Sequence, residues 1–397
     1  MIDAISITNF RGIKETKIEG LGRINLFIGK NNSGKSSILE ALCFAKVPFK
    51  PVDEIGRTVM KQLLNRRVQR MKVSLEEFVY NYDMTNKISL VFTFGTEEIP
   101  LQITCNERWI DYVVKHPDAK KAAILSIRNW PESDDSEVKS MMGEGVSDKA
   151  KNVVDFMKTR AGSYLGLPGV KRVFEKFLGD NLQNLLYLSN IELIDDNFTN
   201  SLAQFERDFW DRLLEGRTDK ELTSILNNIY ETGIEHFTFT PYHIDKQRRR
   251  EQDRFKLFSV LPELALHIDD YGDGFRYAFS ILAAAKLFTN RALLIEEIES
   301  HQHPGSLRKL IDTIIEIAFE NELQLFITTH NDLVLQYFWY HFRPEEGKVD
   351  KRASDVKFFH VTRETKTGKT ECGSMDIHNA QDMRRLTDDI FELGQVR

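Results

Sequence analysis

The chain has 397 residues, of which 54 are Lys or Arg and 60 are Asp or Glu, so its formal net charge is −6. Charged residues make up 29% and hydrophobic residues 41% of the sequence, which is ordinary for a globular protein. These values exclude collagen, a low-complexity disordered chain and a small disulfide scaffold, and they argue against a wholly electrostatic nucleic-acid binder. The length predicts two or three domains with enough material for a hydrophobic core.

The cysteine pattern and the lack of long apolar segments predict a cytoplasmic protein. Cys43, Cys105 and Cys372 are far apart and form no C-x-x-C pair, which argues against a disulfide framework or a thiolate zinc site. The most apolar helical stretch, 278–288, is shorter than the roughly 20 residues that a membrane span needs. We therefore expect a reducing compartment, no signal peptide and no membrane partner.

Three short strands and a helix are predicted in the first 50 residues. Alternating apolar residues predict a strand at 5–7, with a hairpin partner at 16–18. The apolar run 24–28 is typical of a buried strand, and the spacing at 37–42 predicts a helix.

Residues 51–183 are predicted to form an insertion that is largely helical and has a small core of its own. The predicted helices lie at 58–71 and 153–177, the predicted strands at 88–94 and 99–104, and the polar segment 130–150 is predicted to be an exposed loop.

Residues 184–397 are predicted to alternate between strands and helices. The pattern between 275 and 340 runs helix, strand, helix, strand, helix, which predicts a parallel sheet with crossover helices and an α/β fold class. The other predicted elements are strands at 185–188, 237–240, 255–258, 356–361 and 370–373, helices at 198–214 and 220–230, and a short terminal helix.

A phosphate-binding loop is predicted at residues 29–36, where G-K-N-N-S-G-K-S fits the pattern G-x-x-x-x-G-K-[ST] in full. Glycines let successive backbone N–H groups point at phosphate oxygens, and the N-terminal end of the following helix attracts negative charge. Lys35 can reach the β- and γ-phosphates, and the Ser36 hydroxyl can hold Mg²⁺. The alternative is an accidental turn, but the flanking strand and helix patterns favour the phosphate loop.

The apolar strand pattern at 292–295 ends in two carboxylates, Glu296 and Glu297. Because side chains alternate along a strand, one acid can face a magnesium ion while the other faces the attacking water. We assign Glu296 to the metal and Glu297 to the water; the alternative is a solvated acidic loop entry.

Three histidines follow strands in this region. His301 and His303 invite a metal-site interpretation, but no third ligand is evident, and His303-Pro304 is more typical of a turn that starts a helix. His330 follows the strand pattern at 324–328, where a histidine beside a phosphate site can bond the γ-phosphate and sense its loss. A purely structural role for His330 is the alternative.

Together these motifs resemble the head of ABC-type ATPases, in the same order along the chain. They are N-F-R-G at 9–12, the phosphate loop, L-I-E-E-I-E at 294–299 with His303-Pro304, and T-T-H at 328–330. The closest branch is the OLD-like (overcoming lysogenization defect) and SMC-like ATPases. The resemblance covers residues 1–50 and 184–361 and implies a P-loop ATPase head, with a mixed sheet, crossover helices and an antiparallel β lobe.

The resemblance also implies a role for each matching residue. Glu297 and His330 would be the catalytic carboxylate and the switch histidine, and Arg11 would lie near the base or ribose. Segment 270–276 occupies the place of the family signature, which completes the ATP site of the opposite subunit, but here it contains no serine, and Asp273 would repel phosphate unless it turns away. The implied ligands are ATP and Mg²⁺, with Ser36 and Glu296 on the metal and Arg11, Gly29, Asn31, Asn32, Ser33, Gly34, Lys35, Ser36, Ser37, Gly272, Gly274 and Arg276 on the nucleotide.

Two basic stretches could contact DNA or RNA. The charge run at 246–254 is either a solvated hairpin tip or a phosphate-contacting patch. A second basic face, with the same two interpretations, consists of Lys61, Arg66, Arg67, Arg70 and Lys72.

The resemblance implies a homodimer or higher homo-oligomer that closes around ATP, with slow or regulated hydrolysis. OLD proteins carry a TOPRIM nuclease domain, but no Glu plus Asp-x-Asp pattern follows His330, so we expect a head without its own nuclease. Such heads resemble the ATPase subunits of anti-phage defence systems, which act as sensor and scaffold for a separate effector such as a TOPRIM nuclease or a toxin. The alternatives are a RecF-like or SMC-like ATPase of DNA repair and a nucleotide-binding scaffold with little turnover.

Overall fold

The computed structural model describes residues 1–50, 53–54, 58–66, 74–106, 109–115, 122–128, 137–142, 182–199, 210–242, 254–342, 350–364 and 367–375. The chain divides into two compact units. Unit 1 consists of residues 1–192 and 354–397, and unit 2 consists of residues 193–353.

Unit 1 contains a seven-stranded antiparallel sheet in the order β2-β1-β4-β5-β6-β7-β8. Residues alternate between buried and half-buried along β4, as expected for strands with one face on a core. The strands are β1 (Ala4–Phe10), β2 (Ile13–Glu19), β4 (Ile88–Phe94), β5 (Glu97–Cys105), β6 (Trp109–Lys115), β7 (Ala122–Arg128) and β8 (Glu137–Met142).

A second group of strands in unit 1 contains the buried strand β3 (Ile24–Ile28). The strand β15 (Val356–Arg363) runs parallel to β3 and pairs in antiparallel fashion with β16 (Thr370–Met375). The helices of this unit are α1 (Lys35–Lys46), α2 (Val59–Asn65) and α3 (Leu182–Ser189).

Aromatic rings pack α1 against the antiparallel sheet of unit 1. The Phe44 ring lies 5.4 Å from Phe10, 4.7 Å from Phe78 and 5.5 Å from Tyr112, measured between ring centroids. Contacts at these distances add to the hydrophobic stabilisation of burial. They hold the helix that follows the phosphate loop at a fixed position in unit 1.

Unit 2 is built around parallel strands with helices between them. Residues of β13 (Ala292–Ile295) pair in parallel with β14 (Gln324–Thr329), and β9 (Glu192–Ile194) neighbours β13 in the strand order. All residues of β13 and β14 are buried, as in a parallel sheet covered on both faces. The helices are α4 (Asp196–Thr199), α5 (Trp210–Glu215), α6 (Thr218–Tyr230), α7 (Asp273–Leu287), α8 (Pro304–Glu320) and α9 (Asp332–Phe342).

Unit 2 also contains a three-stranded antiparallel sheet that precedes α7. Its strands are β10 (His236–Tyr242), β11 (Arg254–Val260) and β12 (Ala265–His267), in that order. A 3-10 helix, Ile268–Asp270, joins β12 to the start of α7. The sheet therefore leads directly into the segment at 270–276.

Most of the predicted elements are confirmed within one to three residues at each end. The confirmed strands include the N-terminal hairpin, the pairs at 237–240 with 255–258 and 356–361 with 370–373, and the parallel strands at 292–295 and 324–328. The predicted helices at 153–177 and at the C-terminus, and the basic run at 246–253, lie outside the described residues.

Two predictions are wrong. Residues 185–188 belong to helix α3, because a run of four apolar residues fits a buried helix as well as a strand. The predicted loop 130–150 contains β8, which pairs with β7. In the described residues of the predicted insertion, β4–β8 continue the sheet of β1 and β2.

No helix among the described residues is long and apolar enough to cross a membrane.

Candidate functional site

The phosphate loop of unit 1 connects β3 to α1 and requires its two glycines. A Cβ atom on Gly29 would lie 2.2 Å from the carbonyl oxygen of Val361, so only glycine fits there. Gly34 precedes α1 with a φ of 112°, a left-handed conformation that favours glycine. The predicted strand, loop and helix are therefore present, and the loop lies against β15.

Lys35 lies at the first position of α1 and its side chain folds back over the loop. The side-chain nitrogen Nζ donates hydrogen bonds to the carbonyl oxygens of Gly29, at 2.6 Å, and Lys30, at 2.9 Å. Lys35 is only 6% exposed. These two bonds hold the ammonium group against the backbone of the phosphate loop.

Two buried hydroxyl groups of unit 1 lie beside this loop without a hydrogen-bond partner among the described residues. They are Oγ of Ser33 and Oγ1 of Thr370, in residues that are 5% and 1% exposed. Buried polar groups are nearly always bonded, so such groups indicate a missing ligand or water. With Lys35, they fit a phosphate ligand, and the half-buried Ser36 is available to a magnesium ion.

The other predicted residues of the loop differ in exposure. Asn31 and Asn32 are exposed on the loop, and Ser37 is buried in the first turn of α1. Asn32 has a φ of 67°, which asparagine tolerates better than most residues.

Arg11 lies in a buried ion cluster of unit 1. Its Nε is 2.8 Å from Oε2 of Glu40 on α1, and its NH2 group donates to the carbonyl oxygen of Leu63 on α2 at 2.8 Å. The guanidinium also lies 4.5 Å from the centre of the Phe78 ring. The structure therefore gives Arg11 partners inside the protein, and its proximity to a base or ribose stays a prediction.

Arg66 contributes to the same cluster. Its Nε lies 3.5 Å from Oε1 of Glu40, and its side chain is 7% exposed. Arg66 therefore does not belong to an exposed basic face. The side chain of Lys61 and residues 67, 70 and 72 lie outside the described part of the chain.

In unit 2, Glu296 and Glu297 follow β13 as predicted. The backbone N–H of Glu296 donates to the carbonyl oxygen of Ile194 on β9 at 3.2 Å. The buried Tyr277 hydroxyl on α7 donates to the carbonyl oxygen of Glu296. Burial raises the pKa of Tyr277 well above its usual value, which keeps this donor protonated.

Glu297 stands at a sharp bend in the backbone. Its φ of 48° lies in the left-handed region, and its N–H donates to Oγ1 of Thr328 on β14 at 3.1 Å. Its Oε1 lies 3.5 Å from Nδ1 of His330, and both side chains are accessible, at 41% and 47%. Strained backbone of this kind is typical of functional sites.

Glu299 also contacts His330, and sequence reasoning gave it no role. Its Oε1 accepts hydrogen bonds from Oγ1 of Thr329 at 2.8 Å and from the backbone N–H of His330 at 3.0 Å. The same oxygen lies 3.3 Å from Nδ1 of His330, and the carboxyl side chain is 6% exposed. The spacing E-x-E was a signal, but the burial of the second acid depends on the neighbouring strand.

Burial raises the pKa of the Glu299 carboxyl above its usual value, although the bonds from His330 and Thr329 oppose this shift. Glu299 therefore bridges the ends of β13 and β14. The structure places Glu296, Glu297 and His330 at the ends of these two strands, with Glu297 beside His330.

The histidines after β13 do not converge on a metal site. His303 precedes α8, and its Nδ1 accepts a hydrogen bond from the N–H of Gly305 at 3.2 Å, as a helix cap. Among the described residues, no group of three or more potential ligands could hold a metal ion.

The signature-like segment forms the start of α7. Gly272 is the exposed residue before the helix, and nothing would contact a Cβ atom there. The Arg276 guanidinium pairs with the carboxylate of Asp273, and this contact lowers the pKa of Asp273. The negative charge of Asp273 is therefore neutralised locally rather than turned towards a phosphate.

Gly274 is in close contact with the loop that follows β13 and Glu297. A Cβ atom on Gly274 would lie 2.3 Å from the carbonyl oxygen of His301. The carbonyl oxygen of Gly274 accepts hydrogen bonds from Nε2 of Gln302 at 2.7 Å and from the Tyr230 hydroxyl at 3.1 Å. Within unit 2, the signature-like segment and the loop after Glu297 thus form one connected structure.

The sequence matches the family described as "AAA ATPase domain" over residues 1–208 and 170–335. The chain belongs to the AAA ATPase domain family. The match includes both the phosphate loop and the acidic strand end, and it confirms the predicted resemblance to OLD-like ATPases.

Two relatives are named for nucleotide hydrolysis or nuclease activity. An "ATP/GTP phosphatase" of Helicobacter pylori is 22% identical over 343 residues, which are 83% of this chain and 85% of the relative. An "OLD nuclease" of Thermus scotoductus is 22% identical over 84% of this chain but only 59% of the relative. A solved SMC head bound to a domain of ScpA has a TM-score of 0.46 and 14% identity, covering 94% of this chain and 98% of that chain.

Proposed function

We propose that this AAA ATPase-family chain hydrolyses ATP slowly and under regulation, and that it uses the nucleotide to control its own assembly. The observation that carries the proposal is the pair formed by Glu297 and His330. Both side chains are accessible, lie 3.5 Å apart and project from the ends of adjacent parallel strands. Ligand sites in α/β proteins lie at such carboxyl ends of strands.

Unit 1 grips the triphosphate in this proposal. Lys35 moves from the loop carbonyls to the phosphates, and the loop N–H groups of residues 31–37 bind phosphate oxygens. Ser36 and Glu296 would hold Mg²⁺, which neutralises charge on the phosphates when bound.

Unit 2 supplies the groups for hydrolysis. The Glu297 carboxylate accepts a hydrogen bond from the attacking water and orients its oxygen towards the γ-phosphorus. The ring of His330 donates a hydrogen bond to the γ-phosphate and loses this partner when phosphate leaves. Glu299 keeps His330 in place through the backbone N–H.

Two copies close around ATP in this proposal, because the signature-like segment serves the nucleotide of the partner chain. Gly272 is exposed at the start of a 15-residue helix, where backbone N–H groups can meet a γ-phosphate. Arg276 offsets the charge of Asp273, which removes the repulsion that the sequence alone suggested. The proposed assembly is a two-fold dimer or a higher homo-oligomer.

The proposed biological role is that of a sensor and scaffold subunit in anti-phage defence, which holds or releases a separate effector protein. Its support is the resemblance to ATPase subunits of such systems and the similarity to a protein named an OLD nuclease. ATP-driven assembly would then report the nucleotide state to the effector. Purification of the native complex, followed by identification of the bound proteins, tests this role: a co-purified nuclease or toxin supports it, and a DNA repair complex contradicts it.

Phosphate release tests the hydrolytic part of the proposal. With Mg²⁺ and ATP, wild type should release phosphate, and Glu297→Gln should do so roughly 10²- to 10⁴-fold more slowly. The matched control is Glu322→Gln, at an exposed position in the turn before β14, which should keep the wild-type rate. Equal rates for wild type and Glu297→Gln would contradict the role of Glu297.

Light scattering after size-exclusion chromatography tests the assembly. Glu297→Gln should form a dimer or larger oligomer when ATP is added and should persist in that state, because bound ATP is not consumed. Failure of both proteins to change mass with ATP would contradict the closure around nucleotide.

A further inference from the structure

The hairpin of β15 and β16 brings Arg363 and Thr370 together beside the phosphate loop in unit 1. These two residues are direct partners in the antiparallel register. A Cβ atom on Gly34 would lie 3.5 Å from Oγ1 of Thr370 and 3.8 Å from Cγ1 of Ile13. The hairpin and the turn between β1 and β2 therefore lie close to the helix end of the loop.

The Arg363 side chain lies over the backbone of Gly12, in that turn. A Cβ atom on Gly12 would be 3.3 Å from NH1, 3.6 Å from the central carbon Cζ and 3.8 Å from NH2 of Arg363. Arg363 is exposed, and its side chain forms no ion pair or hydrogen bond within the described part of the chain. The guanidinium group therefore lies close to the Gly12 backbone in a residue that is exposed to solvent.

Thr370 provides a second, independent observation. Its hydroxyl is buried, has no hydrogen-bond partner among the described residues and lies next to Gly34. The residue is 1% exposed, so its hydroxyl has little access to bulk water. A ligand oxygen or a trapped water at the phosphate loop would satisfy this donor.

The family resemblance implied that Arg11 lies near the base or ribose of the nucleotide, yet the Arg11 guanidinium contacts Glu40 and Leu63. The Arg363 guanidinium instead lies next to the adjoining residue, Gly12. A cation is thus present next to the N-F-R-G turn, but it is Arg363, from the C-terminal part of the sequence, and not Arg11.

We propose that Arg363 and Thr370 complete the ATP site, with Arg363 at the base and Thr370 at the α-phosphate. The Arg363 guanidinium stacks on the purine base, and the Thr370 hydroxyl donates a hydrogen bond to the α-phosphate beside Gly34. This inference rests on the proposed binding of ATP at the phosphate loop. Guanidinium groups stack on flat rings and carry charge at all relevant pH values, and stacking tolerates different bases. The site therefore accepts adenine and guanine nucleotides with similar affinity.

Calorimetric titration of the full chain with ATP, GTP and inorganic triphosphate, each with Mg²⁺, tests the role of Arg363. Arg363→Ala should bind ATP and GTP roughly 5- to 30-fold more weakly but bind inorganic triphosphate as wild type does. Arg363→Lys should not restore the affinity, because an ammonium group lacks the planar surface. Arg308→Ala, at an exposed position on α8, is the matched control and should bind all three ligands normally.

Thr370→Val removes the hydroxyl but keeps the side-chain shape. It should weaken the binding of ATP and of inorganic triphosphate by similar factors, and Thr370→Ser should restore both. Unchanged binding of ATP by Arg363→Ala, or an equal loss for inorganic triphosphate, would overturn the stacking role. If wild type binds neither ATP nor triphosphate, the proposed function itself fails; if wild type binds and only the variants behave unexpectedly, this inference alone fails.

Discussion

The ion cluster around Glu40 allows a quantitative prediction about how the phosphate-loop helix is held. Glu40 lies on α1, and its side chain is 1% exposed. Its two carboxylate oxygens lie 2.8 Å from Nε of Arg11 and 3.5 Å from Nε of Arg66. Glu40→Gln would remove the charge while keeping the size of the side chain.

The expected cost follows from the partners that remain. Removal of one partner from a buried ion pair costs about 3–5 kcal/mol, because a buried charge is left without compensation. Arg11 would keep the carboxylate of Glu77, whose Oε2 lies 3.8 Å from NH1. We therefore expect the lower end, about 3 kcal/mol, in the free energy of unfolding.

Urea-induced unfolding followed by circular dichroism measures this change, with the same slope for both proteins. The matched control is Glu19→Gln, because Glu19 pairs with Lys17 at 2.6 Å on the surface, where the side chains are 67% and 62% exposed. This variant should unfold at the wild-type urea concentration. A Glu40→Gln midpoint that equals the wild-type midpoint would refute the buried cluster.

Two further predictions concern unit 2. Gly274→Ala should destabilise the protein by about 1–3 kcal/mol, because its Cβ would lie 2.3 Å from the His301 carbonyl oxygen, whereas Gly272→Ala meets nothing and should be neutral in thermal unfolding. Equal melting temperatures for both variants would contradict the close contact. Glu299 has a folded pKa above its ordinary value of 4.5, so its contribution to stability is present below pH 4.5 and is lost as the pH rises through the folded pKa. Relative to Glu299→Gln, wild type should therefore lose stability as the pH rises from 4.5 towards neutrality, and parallel stability curves for the two proteins would contradict the raised pKa.

The features that could be predicted from the sequence are those whose defining residues lie close together along the chain. The phosphate loop is one such feature, because the glycines, lysine and serine that define it lie within residues 29–36. The positions of Glu296, Glu297 and His330 at strand ends were also predictable, because each follows a buried apolar strand and parallel strands end at the same edge of a sheet.

Features that depend on distant pairings were missed. The partners of Arg11 lie 29 to 66 residues away, on α1 and α2 and near Glu77. Thr370 lies beside the phosphate loop, and Arg363 beside the turn at Gly12, through the pairing of β15 with β3 and β16, which no local pattern reveals. The strand predicted at 185–188 was wrong for another reason. A short apolar run fits a helix as well as a strand, and only packing selects between them.

The central claim is that the loop containing Lys35 binds ATP. Isothermal titration calorimetry with Mg²⁺ and ATP, comparing wild type with Lys35→Ala, measures it directly. Wild type should give a saturable heat signal, and folded Lys35→Ala should bind at least tenfold more weakly, because a charge-assisted bond to phosphate is worth about 1.5–3 kcal/mol. Equal affinities for the two proteins, or no binding by wild type, would contradict the account.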